Sequence, residues 1–250
     1  MPNRVCVFVD GENFRHSIGD LFEQFDQKDY LPKTAQWGEF FDWLVSQVAD
    51  DGERVRTYWY VVENIDYFPY SFPDANQEPD KLRRLLSRDA SVKATLDSLD
   101  ENTRVTKMEK IVQRLKGKRS RMDNRFKGWS VVHNGISTHH SAVEFRPAGA
   151  IRYNLIDDSF GAEKAVDVAL ATDMLMLRDI YDVALIVSGD QDYVPAVKAL
   201  KDCGKRVVNV AFKTRSGKLL PGGAWRLNMN TDWSLEVEYN NLSSHLNISS

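Results

Sequence analysis

The stretch RVCVFVDGENF, residues 4–14, decides the fold. Arg4 to Val9 reads as a strand buried on both faces, because Val5 to Val9 is an apolar, β-branched run with no polar alternation. The run stops at Asp10-Gly11, and a helical stretch follows from about Asn13 through Phe25. The same signature returns late in the chain. Asp182 to Val187 is a second buried strand, ending in Ser188-Gly189-Asp190 and followed by a helix from Tyr193 to Cys203 that Gly204 closes. Around these two anchors, Phe40, Phe41, Leu44, Val45 and Val48 recur at helical spacing over Trp37 to Ala49, and Asp50-Asp51-Gly52 stops that helix. RVRTYWYVV (54–62) and Arg206 to Phe212 read as strands, Ala162 to about Arg178 as a helix, and the stretch carrying Trp225, Leu227 and Trp233 as a further edge strand. Strands alternating with helices at these lengths predict an α/β fold with βαβ units and a mostly parallel central sheet covered on both faces.

The middle of the chain departs from this rhythm. Glu63 to about Asp80 is rich in Pro, Asp, Asn and aromatics and reads as a loop. Lys81 to Lys116 reads as two helices broken near Asp100-Glu101-Asn102, with short strands at Trp129 to Val132 and Val143 to Leu155, the second bent at Pro147-Ala148-Gly149. The expectation is one domain over residues 1–240 with a helical, basic insertion at about 64–128, followed by a polar tail, 241–250, that frays.

Net charge is −3, which by itself argues against a general polyanion binder. The average conceals an asymmetry: from Arg104 to Lys127 there are ten Lys or Arg against two acids, Glu109 and Asp123. Cys6 and Cys203 each sit in an apolar stretch and form neither a disulfide framework nor a CxxC site, so both read as buried thiols of a reducing compartment. The N-terminal apolar run VCVFV is too short for a signal peptide, and no window approaches a membrane span. These features predict a cytoplasmic protein with no membrane partner.

Function in such sheets concentrates at the carboxyl ends of strands, where strand order reverses. VDGEN and VSGDQD each deliver an acid there, and Asp10 and Asp190 face one another if their strands are neighbours. Gly11 and Gly189 beside them permit tight turns and the close approach of a ligand. For either acid alone, a helix cap or turn former is the plainer explanation. The third acid, Asp167, stands in the stripe traced by Ala165, Val168, Ala169, Thr172 and Leu175, about five residues into its helix and so too far in to cap it. A carboxylate buried there needs a cation, a metal or an exit to solvent; Lys164 is one candidate partner. Asp173 lies about 240° further around the helix and reads either as a structural acid or as one that supports the site residues from behind. Clustered carboxylates repel unless a cation compensates, and oxygen-only ligands favour Mg²⁺ or Mn²⁺, a site suited to phosphoryl chemistry. Asn13, in the first turn after the strand, is placed to orient a phosphate or to cap the helix.

VFVDGENF (7–14), EKAVDVALATDML (163–175) and LIVSGDQDYVPAVKALKDCGKRVVNVAF (185–212) closely resemble the NYN, or LabA-like, group of PIN-like nuclease domains. The resemblance covers about a third of the chain, mainly the sheet core, and says little about residues 64–150. It implies a PIN-like three-layer fold and a metal-dependent ribonuclease in which Asp10, Asp167 and Asp190 bind the metal, Asn13 and Asp192 assist, and a cleft opens to single-stranded RNA. The family commonly has Gly where Ala165 stands, and Ala is expected to be tolerated there in a helix. Glu12 occupies a variable position and takes no role.

KGKRSRMDNRFKGW (116–129) interleaves cations with Phe126 and Trp129, which suits phosphate contacts and base stacking, although a solvated helical face has the same composition. Lys116, Lys118, Arg119, Arg121, Arg125 and Lys127 are therefore the expected RNA-binding residues, on one wall of a substrate groove. His139-His140 does not make a zinc site: neighbours in a strand point to opposite faces, and no nearby Cys or His completes a set. A phosphatase of the haloacid dehalogenase kind, suggested by Asp190 and Asp192, wants its DxD after the first strand, where Asp10 is followed by Gly11-Glu12. A catalytically weak RNA-binding or regulatory module is the principal alternative to an endoribonuclease. The aromatic stretch Tyr67 to Phe72 could serve as a lid or as an interface in a homo-oligomer.

Overall fold

The computed structural model describes residues 2–22, 31–222 and 224–248. They divide into two compact units. The first comprises residues 1–63, 129–149 and 165–250, and the second 64–128 and 150–164.

The first unit is built on β1 (Arg4–Asp10), α1 (Gly11–Leu21), α2 (Trp37–Val48) and the leading part of β2 (Glu53–Phe68). β1 pairs in parallel with β2, and on its other edge with β5 (Val183–Val187), which continues in parallel to β6 (Arg206–Lys213). β8 (Trp233–Glu238) adds a further parallel strand to β6, and β7 (Leu219–Leu220) a short antiparallel one. The chain leaves β1 for β2 on one side and returns as β5 on the other, so the order of strands switches at β1. This is the mostly parallel, three-layer α/β arrangement expected of a PIN-like fold. Val5 to Val9 and Val183 to Val187 are each at most 1% exposed, which accounts for their lack of polar alternation.

An aromatic cluster fixes α1 over the sheet. Phe14 packs against Trp37, Phe40, Trp59 and Phe212, with ring centroids 5.4–6.3 Å apart. The helix expected to run to Phe25 ends at Leu21, and residues 23–25 lie outside the described residues. α6 (Val166–Met176) and α7 (Val194–Asp202) link the late strands; α8 (Ala224–Asn228) carries Trp225 and Leu227, which had been expected in a strand. The polar tail is ordered through Leu246 as α9 (Tyr239–Leu246), because Tyr239, Leu242 and Leu246 share one buried face. Cys6 is buried as expected, but Cys203 is exposed at the end of α7.

In the second unit, β2 continues to Phe68 through residues expected in a loop, and α3 (Pro79–Leu86) and α4 (Ala90–Asp97) lead into α5 (Glu101–His139). The break at Asp100 is where the sequence put it; the length of α5 is not. Its 39 residues include the stretch expected as a strand at Trp129 to Val132, and His139 ends the helix and does not lie in a strand. Met108, Leu115, Met122, Trp129 and Ile136 recur every seven residues and are all buried, a stripe that outweighs the local breakers Gly117, Gly128 and Gly135. The unit also holds the far part of β3 (Val143–Asn154), paired antiparallel with β4 (Ser159–Lys164).

Candidate active site

Because β1 and β5 are adjacent, with Val9 opposite Val187, Asp10 and Ser188 emerge side by side at the carboxyl end of the sheet. Asp10 is 1% exposed and closes the N-terminus of α1, accepting from the Asn13 backbone N–H at 3.1 Å. Its Oδ2 accepts from Asn13 Nδ2 at 2.6 Å, from the Ser188 hydroxyl at 2.9 Å and from the Tyr193 hydroxyl at 3.2 Å. Asn13 is thus not the cap: Asp10 caps its backbone N–H, and the Asn13 amide in turn holds the carboxylate. Asp190 opens the short 3-10 turn Gln191–Tyr193, accepting from the Asp192 backbone at 2.8 Å, while its own N–H donates to Ser188 Oγ at 3.1 Å. Asp192 is exposed. Both strand-end acids therefore do the capping that the plainer explanation assigned them, and Asp10 also faces a second carboxylate.

That second carboxylate is Asp167. It lies in the first turn of α6, not five residues in, because Ala162 to Lys164 belong to β4 and the helix begins only at Val166. The residues buried on α6 are Val166, Leu170 and Met174, whereas Val168 is 66% exposed, so the expected stripe is displaced around the helix. Ala165 precedes the helix at φ 71, a left-handed conformation that explains why a glycine suits this position and corrects its placement in the helix. Of the two roles open to Asp173 its contacts are the structural ones: it accepts from Tyr60 at 2.7 Å and pairs with Arg146.

Tyr193 joins the site acids, and the sequence reading missed it. Its ring is fully buried, and its hydroxyl lies 2.9 Å from Asp167 Oδ1 and 3.2 Å from Asp10 Oδ2. A phenol has one proton, so it satisfies one carboxylate and turns a lone pair toward the other. Among the described residues no cation pairs with either carboxylate. Burial, with the charge of Asp167 added, pushes Asp10 up to about 6 against the hydrogen bonds of Asn13 and Ser188. Burial also raises Asp167, with Asp190 and Asp192 adding to the shift and Tyr193 opposing it. Tyr193 itself is raised far out of the working range, first by burial and then by the two carboxylates, so it acts only as a neutral donor. The available signal was a hydroxyl-bearing ring three residues after Asp190, at the same sheet end.

The two glycines serve the protein's own packing. A Cβ on Gly11 would stand 2.1 Å from the Tyr60 carbonyl oxygen, and one on Gly189 2.7 Å from Pro221. These positions admit close approach of neighbouring chain segments, where the approach of a ligand had been expected.

Among the described residues no group of three or more His, Cys, Asp or Glu stands close enough to hold a metal ion. The donors that do converge, Asp10 and Asp167, are hard oxygens with a charge deficit between them, which fits a hard divalent cation in kind. No described helix is long and apolar enough to cross a membrane.

In the second unit, Lys118 pairs with Asp158 at 3.2 Å, and Arg119 donates to the Tyr70 carbonyl at 3.2 Å and stacks over Tyr67. Lys116, Arg121, Arg125 and Lys127 are exposed on α5. The six expected RNA-binding residues are thus not one surface, and the 116–129 stretch is helix throughout.

A protein of unknown function from Vibrio parahaemolyticus is similar in structure, at 13% identity over 94% of this chain and 93% of that chain, with a TM-score of 0.42. No curated protein matches. The NYN domain family matches residues 91–220, a span that takes in Asp167, Asp190 and Tyr193 but begins after Asp10. NYN domains are generally nucleic acid-acting, with a nuclease-like function, and nucleases of this kind generally use divalent metals. With more than half of its length matched and a parallel sheet bringing acids to the carboxyl ends of β1 and β5, the chain belongs to the NYN domain family of the PIN-like nuclease clade.

Proposed function

We propose that the protein is a Mg²⁺- or Mn²⁺-dependent endoribonuclease that hydrolyses RNA phosphodiester bonds at Asp10, Asp167 and Asp190, with Asn13 and Asp192 assisting. The observation that carries this reading is the single hydroxyl of Tyr193 between two carboxylates, a centre that needs one more positive charge. Asp10 and Asp167, which meet the same hydroxyl, would hold the ion, with Asp190 the next acid along the sheet end. When bound, a divalent cation supplies Lewis acidity toward a phosphoryl oxygen and makes a water more acidic. The chain's own residues supply the setting. Asn13 and Ser188 fix the orientation of Asp10, Tyr193 keeps the two acids from separating, and the buried runs Val5 to Val9 and Val183 to Val187 keep water from the underside of the centre.

Cleavage of a mixed-sequence RNA with Mn²⁺ or Mg²⁺ is expected to fall at least about 100-fold in Asp10→Asn and in Asp167→Asn, with folding unchanged. Cleavage that survives in both purified variants sinks the proposal. One observation favours a second reading, a binding module with little turnover: no group of three acids stands assembled among the described residues. That reading expects RNA affinity indifferent to EDTA and no cleavage in any divalent metal.

A further inference from the structure

We infer that one side of α5 in the second unit is a track for single-stranded nucleic acid, made of Lys107, Lys110, Arg114, Lys118, Arg121 and Arg125, with Phe160 as its stacking platform. At about 100° per residue these six cations fall within roughly 80° of arc and run for about 27 Å along the helix. Lys116, Arg119 and Lys127 fall outside that arc, so the track differs from the basic run as it reads in sequence. Glu109 and Asp123, the two acids between Arg104 and Lys127, lie outside it as well.

At its N-terminal end, Lys107, Lys110 and Arg114 line a cavity of about 320 Å³ together with Ser91, Val92 and Thr95 of α4. None of these three cations makes an ion pair with a described residue, and all three are exposed. Three like charges around one open cavity repel each other, and a bound phosphate would relieve that repulsion. Two acids border the track. Asp89 caps α4, with Arg114 contributing to its lowered pKa, and Asp158 pairs with Lys118 and feels Arg121.

At the other end, Lys118 pairs with Asp158, which accepts from the Tyr153 hydroxyl, and the Tyr153 ring packs on Phe160 with centroids 5.0 Å apart. Phe160 is 42% exposed on β4, an aromatic face open to solvent two residues after the Asp158 that pairs with Lys118. Cations in a line with an accessible ring are the elements of single-strand recognition, where bases must be unpaired to stack. RNA as the natural strand rests on the proposed ribonuclease reading; the track itself does not.

The test measures binding, not cleavage, by fluorescence anisotropy in EDTA with a 20-nucleotide single-stranded RNA, its duplex and a polyglutamate peptide. The combined Lys107→Glu, Lys110→Glu, Arg114→Glu variant is expected to lose at least about 10-fold in affinity. Its log-log salt slope should fall by about 2, from three lost phosphate contacts. Phe160→Ala should cost about 5-fold or more on the single strand and nothing on the duplex. Asp158→Asn, which frees Lys118 and keeps a residue tolerant of the local φ of 61, should tighten binding. Lys116→Glu with Lys127→Glu is the off-track control and should change affinity less than 3-fold. The inference is overturned if this control weakens binding as much as the triple variant, if Phe160→Ala is silent, or if polyglutamate binds as tightly as RNA. Every arm reads binding in EDTA and none reads cleavage, so a failed track and a failed active site give different results.

Discussion

The acidic end of the first unit's sheet and the basic face of the second unit's α5 handle charge in opposite ways. Asp10 is buried, meets Ser188 and Tyr193 from 178 and 183 residues away, and shares one phenolic proton with Asp167. Most of the α5 cations stand in solvent on a single helix, and their arrangement follows from sequence spacing alone. In the first region, position depends on the whole sheet, so small changes carry large costs. In the second, position is local, so substitutions act mainly on what the surface binds.

Glycine to alanine separates the two regions most sharply. Gly11→Ala drives a Cβ into the Tyr60 carbonyl at the β1–α1 junction, and a loss of about 3 kcal/mol or more is expected in urea unfolding. A midpoint that stays put would mean that β1 and α1 can shift without cost, and the contrast would fail.

Next in size is the charge of Asp10 itself. Its folded pKa of about 6 lies above the ordinary 3.8, so the folded chain takes up a proton before the unfolded chain does. This group therefore lowers stability above pH 6, and the penalty disappears as pH falls through 6 toward 4. Asp10→Asn is expected to be the more stable protein at pH 7.5 in EDTA, by up to about 3 kcal/mol, with the difference shrinking toward zero by pH 4. Parallel pH profiles for the two proteins would refute the charge deficit at the Tyr193 hydroxyl. An excess of Mn²⁺ should narrow the gap at pH 7.5 if the cation binds the unaltered protein there.

The contrast also explains what could be read from the sequence. The strand cores of β1, β5 and β6 were legible because burial on both faces leaves continuous apolar runs, and the strand-end acids Asp10 and Asp190 followed from their positions. Tyr193 was not legible as a site residue, since its role lies in a proton shared across β1, α6 and the turn after β5. The start of α6 was misread because Ala162, Glu163 and Lys164 favour helices, yet Glu163 and Lys164 lie in β4 and pair with Ile151 and Ala150 of β3. The length of α5 was hidden by its glycines and by Val131-Val132. Only the seven-residue recurrence from Met108 to Ile136 signals a helix through that stretch.

In α5 the glycine substitution should reverse sign. A Cβ on Gly128 meets nothing within 4 Å, so Gly128→Ala adds helix propensity without a clash and is expected to stabilise by about 1 kcal/mol. A loss comparable to that of Gly11→Ala would show that this face of α5 is covered, and would remove the distinction between a locally built helix and a globally built site.

The smallest effect runs the other way, at Ala165. Its φ of 71 costs an alanine about 1–2 kcal/mol, and part of that would be regained by glycine, less the entropy glycine adds to the unfolded chain. Ala165→Gly should therefore stabilise by about 0.5 kcal/mol and raise the melting midpoint by about 1–2 °C. The sign carries the information. If Ala165 were the helical residue that its sequence context suggests, glycine would destabilise by about 1 kcal/mol, and Asp167 would stand deep in a helix and away from its first turn. Stabilisation by glycine at 165 and by alanine at 128 would establish, from the same pair of residues, that α6 starts later and α5 ends later than local propensity indicates.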